Sequence, residues 1–310
     1  MVAPMGGREE APEPEADAEV TVSRLGPTDL VLCSGTLPRH TPFLERVRAA
    51  STAGFSAISL WGRDYGAARD EGHSDADLGL MIEDHGLVVA ELDPAWWWTP
   101  GAGDVHIPAE FDPVDIFRFD QDEILRIAAL VGARSINAAD VLGGHWSPEE
   151  GAAGFAALCD RAAEHGLLVH LEWLAWSKVP DLHAALEIVG LADRPNGGLT
   201  IDMWHCARTG TTAAQLRAVP GPRILAVQID DGPARAEDDL LDATLHHRLL
   251  PGRGDFDLVG YLDAVAATGS QAPIGVEVFS DELHARGPHH AARLAAQSAR
   301  QVLASVGSQT

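Results

Sequence analysis

Lysine is nearly missing from this chain: 21 of its 22 basic residues are arginines, and Lys178 stands alone. Chemistry through a Schiff-base lysine therefore has a single candidate. Lys178 lies in a loop six residues beyond Glu172, where a solvated side chain is the simpler expectation. Cysteine is scarce as well. Cys33, Cys159 and Cys206 are odd in number, far apart and without CxxC spacing, which excludes a disulfide framework and a zinc module and suits a reducing, cytoplasmic compartment. No apolar run approaches the roughly 18 residues that would span a bilayer. Positive charge is short too, with 22 Lys+Arg against 46 Asp+Glu and a formal charge of −24. Such a field repels phosphate backbones and anionic lipid, so neither nucleic acid nor a membrane is an expected partner. Residues 1–24 carry the acidic, proline-bearing run Glu9–Glu19 and lack the basic start and apolar core of a secretion signal, so they read as a disordered tail.

What is present is alternation. Residues 25–310 read as one domain in which short apolar runs alternate with amphipathic stretches. Strands are predicted at Leu30–Gly35, Phe55–Leu60, Leu87–Leu92, Ser135–Val141, Leu167–Leu171, Gly198–Ile201, Ile224–Ile229 and Ile274–Val278. Helices are predicted at Phe43–Ala53, Asp77–His85, Asp122–Val131, Pro148–His165, Leu182–Leu191, Thr212–Ala218, Leu258–Ala267 and His289–Val306. This order is that of an α/β (β/α)₈ TIM barrel, whose buried strands read as continuous apolar runs. A doubly wound sheet would place GxGxxG after the first strand, but that loop reads Cys33-Ser-Gly-Thr-Leu-Pro38. Thr99–Asp120 reads as a long, lid-like loop after the third strand.

The reactive groups of a barrel stand at the C-terminal ends of its strands. Here the fifth run ends His170-Leu-Glu172-Trp173, the sixth Asp202-Met-Trp-His205, the seventh Gln228-Ile-Asp230-Asp231 and the eighth Gly275-Val-Glu277. Glu172, Asp202, Gln228 and Glu277 would converge near the axis. Three carboxylates that close cannot all stay ionised without a cation. A divalent metal resolves the conflict; oxygen ligands favour Mn²⁺ or Mg²⁺, with Co²⁺, Fe²⁺ and Zn²⁺ as further candidates.

These segments, with Arg248-Leu-Leu-Pro-Gly-Arg-Gly254, resemble the xylose-isomerase-like TIM-barrel superfamily over about residues 28–306. That group includes sugar phosphate isomerases/epimerases, inosose dehydratases and dehydroshikimate dehydratases. The resemblance implies that Glu172, Asp202, Gln228 and Glu277 are metal ligands, with His205 beside the metal. It also implies that Arg248 and Arg253 lie on a substrate-binding loop, and that dimers or tetramers are common among such proteins. Ketose 3-epimerases usually place His where Gln228 stands, whereas the dehydratase branches look more like this set.

A metal that chelates a carbonyl and its neighbouring hydroxyl acidifies the adjacent C–H. Glu172 and Glu277 could then pass a proton between the faces of a small polyhydroxylated carbonyl compound, as an isomerase or epimerase does. A dehydratase would instead use His205 as base, with loss of a β-hydroxyl. An inactive barrel serving as a subunit or sensor is the alternative of another class, and the intact set of site residues opposes it. His170 is expected to orient Glu172, and His145 to close the fourth strand and reach substrate. All eight tryptophans fall at or just beyond predicted strand ends and none in a predicted helix, so Trp97, Trp173 and Trp204 are expected to stack on substrate.

Overall fold

The computed structural model describes residues 25–102, 117–141 and 143–307. The expected N-terminal tail and most of the loop at 99–120 lie outside the described residues. Eight strands pair in parallel and in chain order to a closed barrel: β1 (Leu30–Leu32), β2 (Ala57–Leu60), β3 (Val88–Ala95), β4 (Ser135–Ala139), β5 (Leu168–Glu172), β6 (Gly197–Asp202), β7 (Ile224–Ile229) and β8 (Ile274–Val276). The last strand closes on the first through Leu30↔Ile274 and Leu32↔Val276.

The outer ring forms where the amphipathic pattern predicts it. Several of its helices begin on side-chain caps that satisfy the free first-turn N–H groups. Ser74 with Asp77 starts Asp75–Asp84, Asp120 with Glu123 starts Gln121–Leu130, and Ser147 with Glu150 starts Pro148–Ala163. Phe43–Ala53 ends on Gly54 at φ 78°, the left-handed conformation glycine adopts without cost. The C-terminal helix, Pro288–Leu303, buries Ala291, Ala292, Ala295, Ala296 and Ala299, a face of small residues that lets it lie close to its neighbours.

Several boundaries differ from expectation. β1 stops at Leu32 because Ser34–Thr36 turns as a 3-10 helix, held by Ser34 N donating to Ser59 Oγ at 2.9 Å and Thr36 Oγ1 donating to Val276 O at 2.8 Å. β4 ends at Ala139, so His145 stands in the following loop rather than at the strand end. Short helices unforeseen in the sequence occupy the loops after strands: Gly62–Asp70, Met203–Thr209, Leu240–His246 and Asp281–His284. They are brief or polar and offer little apolar periodicity. Met203–Thr209 starts directly on β6 because Asp202 caps it, accepting from His205 N at 3.0 Å. Trp204 therefore lies in a helix, contrary to the expectation that no tryptophan does.

The strand alternation divides the barrel into a dry outside and a polar inside. Leu92, Ile136, Leu171, Ile201, Ile229 and Val276 belong to the apolar core shared with the helices. The alternate positions are buried and polar: Glu91 and Asp93 on β3, Ser135 and Asn137 on β4, His170 and Glu172 on β5, Thr200 and Asp202 on β6. Buried polar groups need partners, and these find one another across the axis.

Candidate active site and metal centre

Two layers of polar side chains are stacked inside the barrel. In the lower one, His170 Nδ1 lies 2.6 Å from Thr200 Oγ1, and its Nε2 lies 3.0 Å from Ser135 Oγ and 3.2 Å from Glu91 Oε2. Both ring nitrogens are thus engaged with groups other than Glu172. The side chain that holds Glu172 is Asn137: its Nδ2 donates to Glu172 Oε2 at 2.6 Å and to Asp93 Oδ1 at 3.0 Å. Thr200 Oγ1 donates to Asn137 Oδ1 at 3.2 Å and so links the layers. Trp61 Nε1 donates to the other oxygen of Asp93 at 3.0 Å.

The upper layer carries the charge. Glu172, Asp202 and His205, all buried, offer ligand atoms within 4.8 Å of one another, a group that could hold a divalent metal. His205 Nε2 is 3.8 Å from Glu172 Oε1 and has no hydrogen-bond partner. Arg248 enters from the segment before the Pro-Gly turn. Its Nη1 lies 2.8 Å from Asp202 Oδ2, 2.5 Å from Asp230 Oδ2 and 3.6 Å from Glu277 Oε2. The turn itself requires glycine, since a Cβ on Gly254 would stand 2.3 Å from Gly232 O and 2.4 Å from Asp231 Oδ1.

Electrostatics follow from burial. Burial, then the charges of Asp202 and Asp93, push the Glu172 carboxyl well above its ordinary range. Burial and Asp93 do the same to Glu277, against the pull of Arg248, and burial and Asp202 raise Asp230. Burial would raise Asp202 too, but Arg248 and His205 outweigh it and hold this carboxyl low. Burial and Glu91 push Asp93 up to about 7. His205 is pushed down to about 4 by burial, so it stays a neutral base near pH 7.

A metal fits this donor set. Four acids, Glu172, Asp202, Asp230 and Glu277, surround one guanidinium, and Gln228, 1% exposed, has neither side-chain atom paired. A buried amide without partners costs free energy, and a cation's coordination shell is what would satisfy its oxygen. Gln228 is separate from the geometric trio of Glu172, Asp202 and His205; it and Glu277 reach the same layer from β7 and the end of β8.

Above the acids lies a cavity of about 90 Å³ lined by Trp61, Asp93, Pro94, Trp96, Glu172, Leu174, Trp176, Arg248, Glu277 and Phe279, among others. A larger hollow of about 550 Å³ opens at the opposite end of the barrel, beside Thr28, Ser56 and Arg300, with no carboxylate in its wall. The smaller cavity therefore marks the candidate site. Of the tryptophans expected to stack on substrate, none lines it. Trp97 donates from Nε1 to Phe119 O at 3.0 Å, Trp204 donates to Thr244 Oγ1 at 3.1 Å, and Trp173 is wholly buried. Trp61, Trp96 and Trp176 take that place. His145 and Arg253 are exposed and do not line the cavity either. Asp93 and Asn137 are the site residues that motif reading passes over, and Asp230, though part of the Gln228-Ile-Asp230-Asp231 motif, is given no role by it. The period-two patterns Glu91-Leu-Asp93 and Ser135-Ile-Asn137 were the available signal.

Residues 47–305 match the family model for the xylose isomerase-like TIM barrel. The chain is 32% identical over 260 residues to a 3-dehydroshikimate dehydratase of Pseudomonas aeruginosa, covering 82% of this chain and 38% of that protein. It therefore spans less than two fifths of that relative's length. It is 30% identical over 129 residues to an inosose isomerase of Bacillus subtilis, covering 41% of this chain and 45% of the relative. Among solved structures, the IOLI protein with a bound zinc atom superposes with a TM-score of 0.75 at 20% identity, covering 91% of this chain and all of that one. A D-allulose 3-epimerase of Methylomonas in complex with D-allulose gives 0.63 at 18%, covering 91% and 96%. Likeness at these identities speaks for the shared fold. Among the described residues no helix is long and apolar enough to cross a membrane.

Proposed function

We propose that this chain, which belongs to the xylose-isomerase-like TIM-barrel family, is a divalent-metal-dependent isomerase or epimerase that moves a proton at a carbon next to a carbonyl. The observation that carries the reading is the pair Glu172 and Glu277. Both are buried, both line one cavity from strands three apart around the barrel, and both sit beside the same Asp202. Two carboxyls on opposite sides of one cavity are placed to take a proton from one face of a substrate and return it to the other.

Glu172, Asp202, Gln228 and Glu277 would hold the ion, Mn²⁺ or Mg²⁺ given their oxygen donors, with His205 as a further ligand or neighbouring base. When bound, such an ion polarises a carbonyl and makes the adjacent C–H more acidic. Asn137 holds Glu172 through Oε2 and leaves Oε1, on the His205 side, for the proton transfer. Arg248 lines the cavity with its charge already met by Asp202, Asp230 and Glu277, which suits a neutral or weakly charged substrate. The rings of Trp61, Trp96, Trp176 and Phe279 exclude water.

A second reading is supported by two observations. Gln228, not His, stands near the end of the seventh strand, and the dehydratase likeness extends over 82% of this chain. On this reading the site is a hydro-lyase of the dehydroshikimate or inosose type. His205, neutral near pH 7, would then take the proton while a β-hydroxyl leaves. Three buried free cysteines suit a reducing cytoplasm. A formal charge of −24 leaves a small soluble carbonyl compound, not nucleic acid, as partner.

Incubation in D₂O with Mn²⁺ and a panel of ketoses, inososes and dehydroshikimate separates the readings. Deuterium in a recovered or epimerised sugar supports the isomerase, and water loss to an enone or aromatic product supports the hydro-lyase. Neither exchange nor elimination on any of them contradicts both.

A further inference from the structure

Asp230 has no part in the chemistry above, yet it is among the most enclosed charges in the molecule. It follows β7 two residues after Gln228, so its side chain points to the same interior. It is 0% exposed, its Oδ2 lies 2.5 Å from Arg248 Nη1, and its Oδ1 has no hydrogen-bond partner. Arg248 is otherwise held by Nε donating to Thr244 O at 3.1 Å and by the rings of Trp204 and Phe279, whose centroids are 5.7 and 5.1 Å from its Cζ.

The remaining contacts of Nη1 create a conflict. Asp202 and Glu277, at 2.8 and 3.6 Å, are the same acids that would hold a divalent cation. A guanidinium and a dication drawn to the same carboxylates compete for them and repel each other, strongly so in a buried site. Asp230 supplies a carboxylate to the guanidinium alone, and its Nη1 contact is the shortest of the three.

We propose that Asp230 is a positioning residue that neutralises and anchors Arg248, and so frees Asp202 and Glu277 to bind the metal. The inference rests on the metal-dependent reading of the site. It predicts a specific coupling: loss of Asp230 weakens the metal because Arg248 then leans on Asp202 and Glu277, and the effect disappears when Arg248 is uncharged.

The test is Mn²⁺ titration by calorimetry of the chelator-treated full chain, in wild type, Asp230→Asn, Arg248→Gln and the double variant. Folding is checked by circular dichroism. A double-mutant cycle isolates the pair. Asp230→Asn is expected to weaken Mn²⁺ at least about tenfold, the change that truncating one partner of a buried charge pair readily exceeds. In the Arg248→Gln background the same substitution is expected to change affinity less than about twofold, within the additivity error of such cycles. Equal weakening in both backgrounds would make Asp230 a direct metal ligand and overturn the proposal, as would unchanged affinity in Asp230→Asn. A wild type that binds no Mn²⁺ overturns the metal reading itself, and this inference with it. If Arg248→Gln does not fold, the ¹⁵Nη signals of arginine decide. The Arg248 Nη resonances should stay resolved in Asp230→Asn but shift as the guanidinium moves onto Asp202 and Glu277, and their merging, the mark of a freely rotating group, would overturn the proposed competition.

Discussion

Two buried arginines, Arg46 and Arg248, are supplied with acid very differently. Arg46, from the first helix, sits 4% exposed with its charge matched by Asp64, Nη2 to Oδ1 at 3.2 Å. Its remaining donors reach the carbonyls of Ser34, Pro38, Arg39 and Thr41 and the hydroxyl of Ser34. Each charge there has a counterpart, and no acid is left over. Arg248 instead faces Asp202, Asp230 and Glu277 from a single nitrogen, with Glu172 close by and polar atoms of Gln228, His205 and Asp230 unpaired. A satisfied buried ion pair holds structure together. A buried site with more acid than base and with unpaired donors and acceptors is built to receive something.

Substitutions can break this contrast in order of expected effect. Glu277→Gln keeps the shape of the wall and removes one of the two carboxyls proposed to move the proton, so turnover is expected to fall by about 10²–10⁴-fold with the far-UV spectrum unchanged. A rate within a few-fold of wild type would remove Glu277 from the chemistry. Arg46→Met leaves Asp64 buried without its partner, and chemical denaturation should report a loss of about 3–5 kcal/mol. Mn²⁺ affinity should not move; if it does, the two arginine regions are not independent.

Asn137→Leu keeps the volume and releases Glu172, for which a loss of about 10–100-fold in rate is expected, the range for residues that orient ligands. The acidic limb of the pH–rate profile should shift as well, a readout that simple loss of packing would not produce. Asp93 offers a gentler test through stability. Its folded value of about 7 lies above the ordinary carboxyl range. The folded state therefore keeps a proton that the unfolded chain has lost, and stability falls as pH rises from about 4 to about 7. Asp93→Asn removes that penalty, so chelator-treated protein should melt higher at pH 8 and nearly unchanged at pH 4. A wild-type and variant difference independent of pH would refute the assignment. Smallest of all, Trp96→Ala should raise KM a few-fold, whereas Trp97→Ala, away from the cavity, should leave KM unchanged.

The charged half of the site was legible because its acids close apolar strands in short motifs, His170-Leu-Glu172 and Gly275-Val-Glu277 among them. The alternation that gives the barrel was equally plain, since continuous apolar runs and capped amphipathic stretches each leave a period in the sequence. What local sequence does not carry depends on distance through space. Asn137 and Asp93 matter because β4 lies beside both β3 and β5, and nothing local in Ser135-Ile-Asn137 announces the contact with Glu172. His170 was expected to hold Glu172 but sits one layer lower, two residues along the same strand, where Glu91, Ser135 and Thr200 claim its ring. Tryptophans clustered at strand ends do mark the mouth, but which ring lines the cavity depends on side-chain direction. Trp96 and Trp97 are adjacent in sequence, yet only the first faces the site.

The most direct test of the account is a count of bound metal. Purified chain, the same chain after chelation, and the chelated chain returned to Mn²⁺ would be assayed by elemental analysis and by thermal melting, with Asp202→Asn alongside. About one divalent ion per chain is expected, with a lower melting temperature after chelation, recovery on adding Mn²⁺, and none of this in Asp202→Asn. A chain that carries no divalent ion and whose melting temperature ignores both chelator and Mn²⁺ would contradict it.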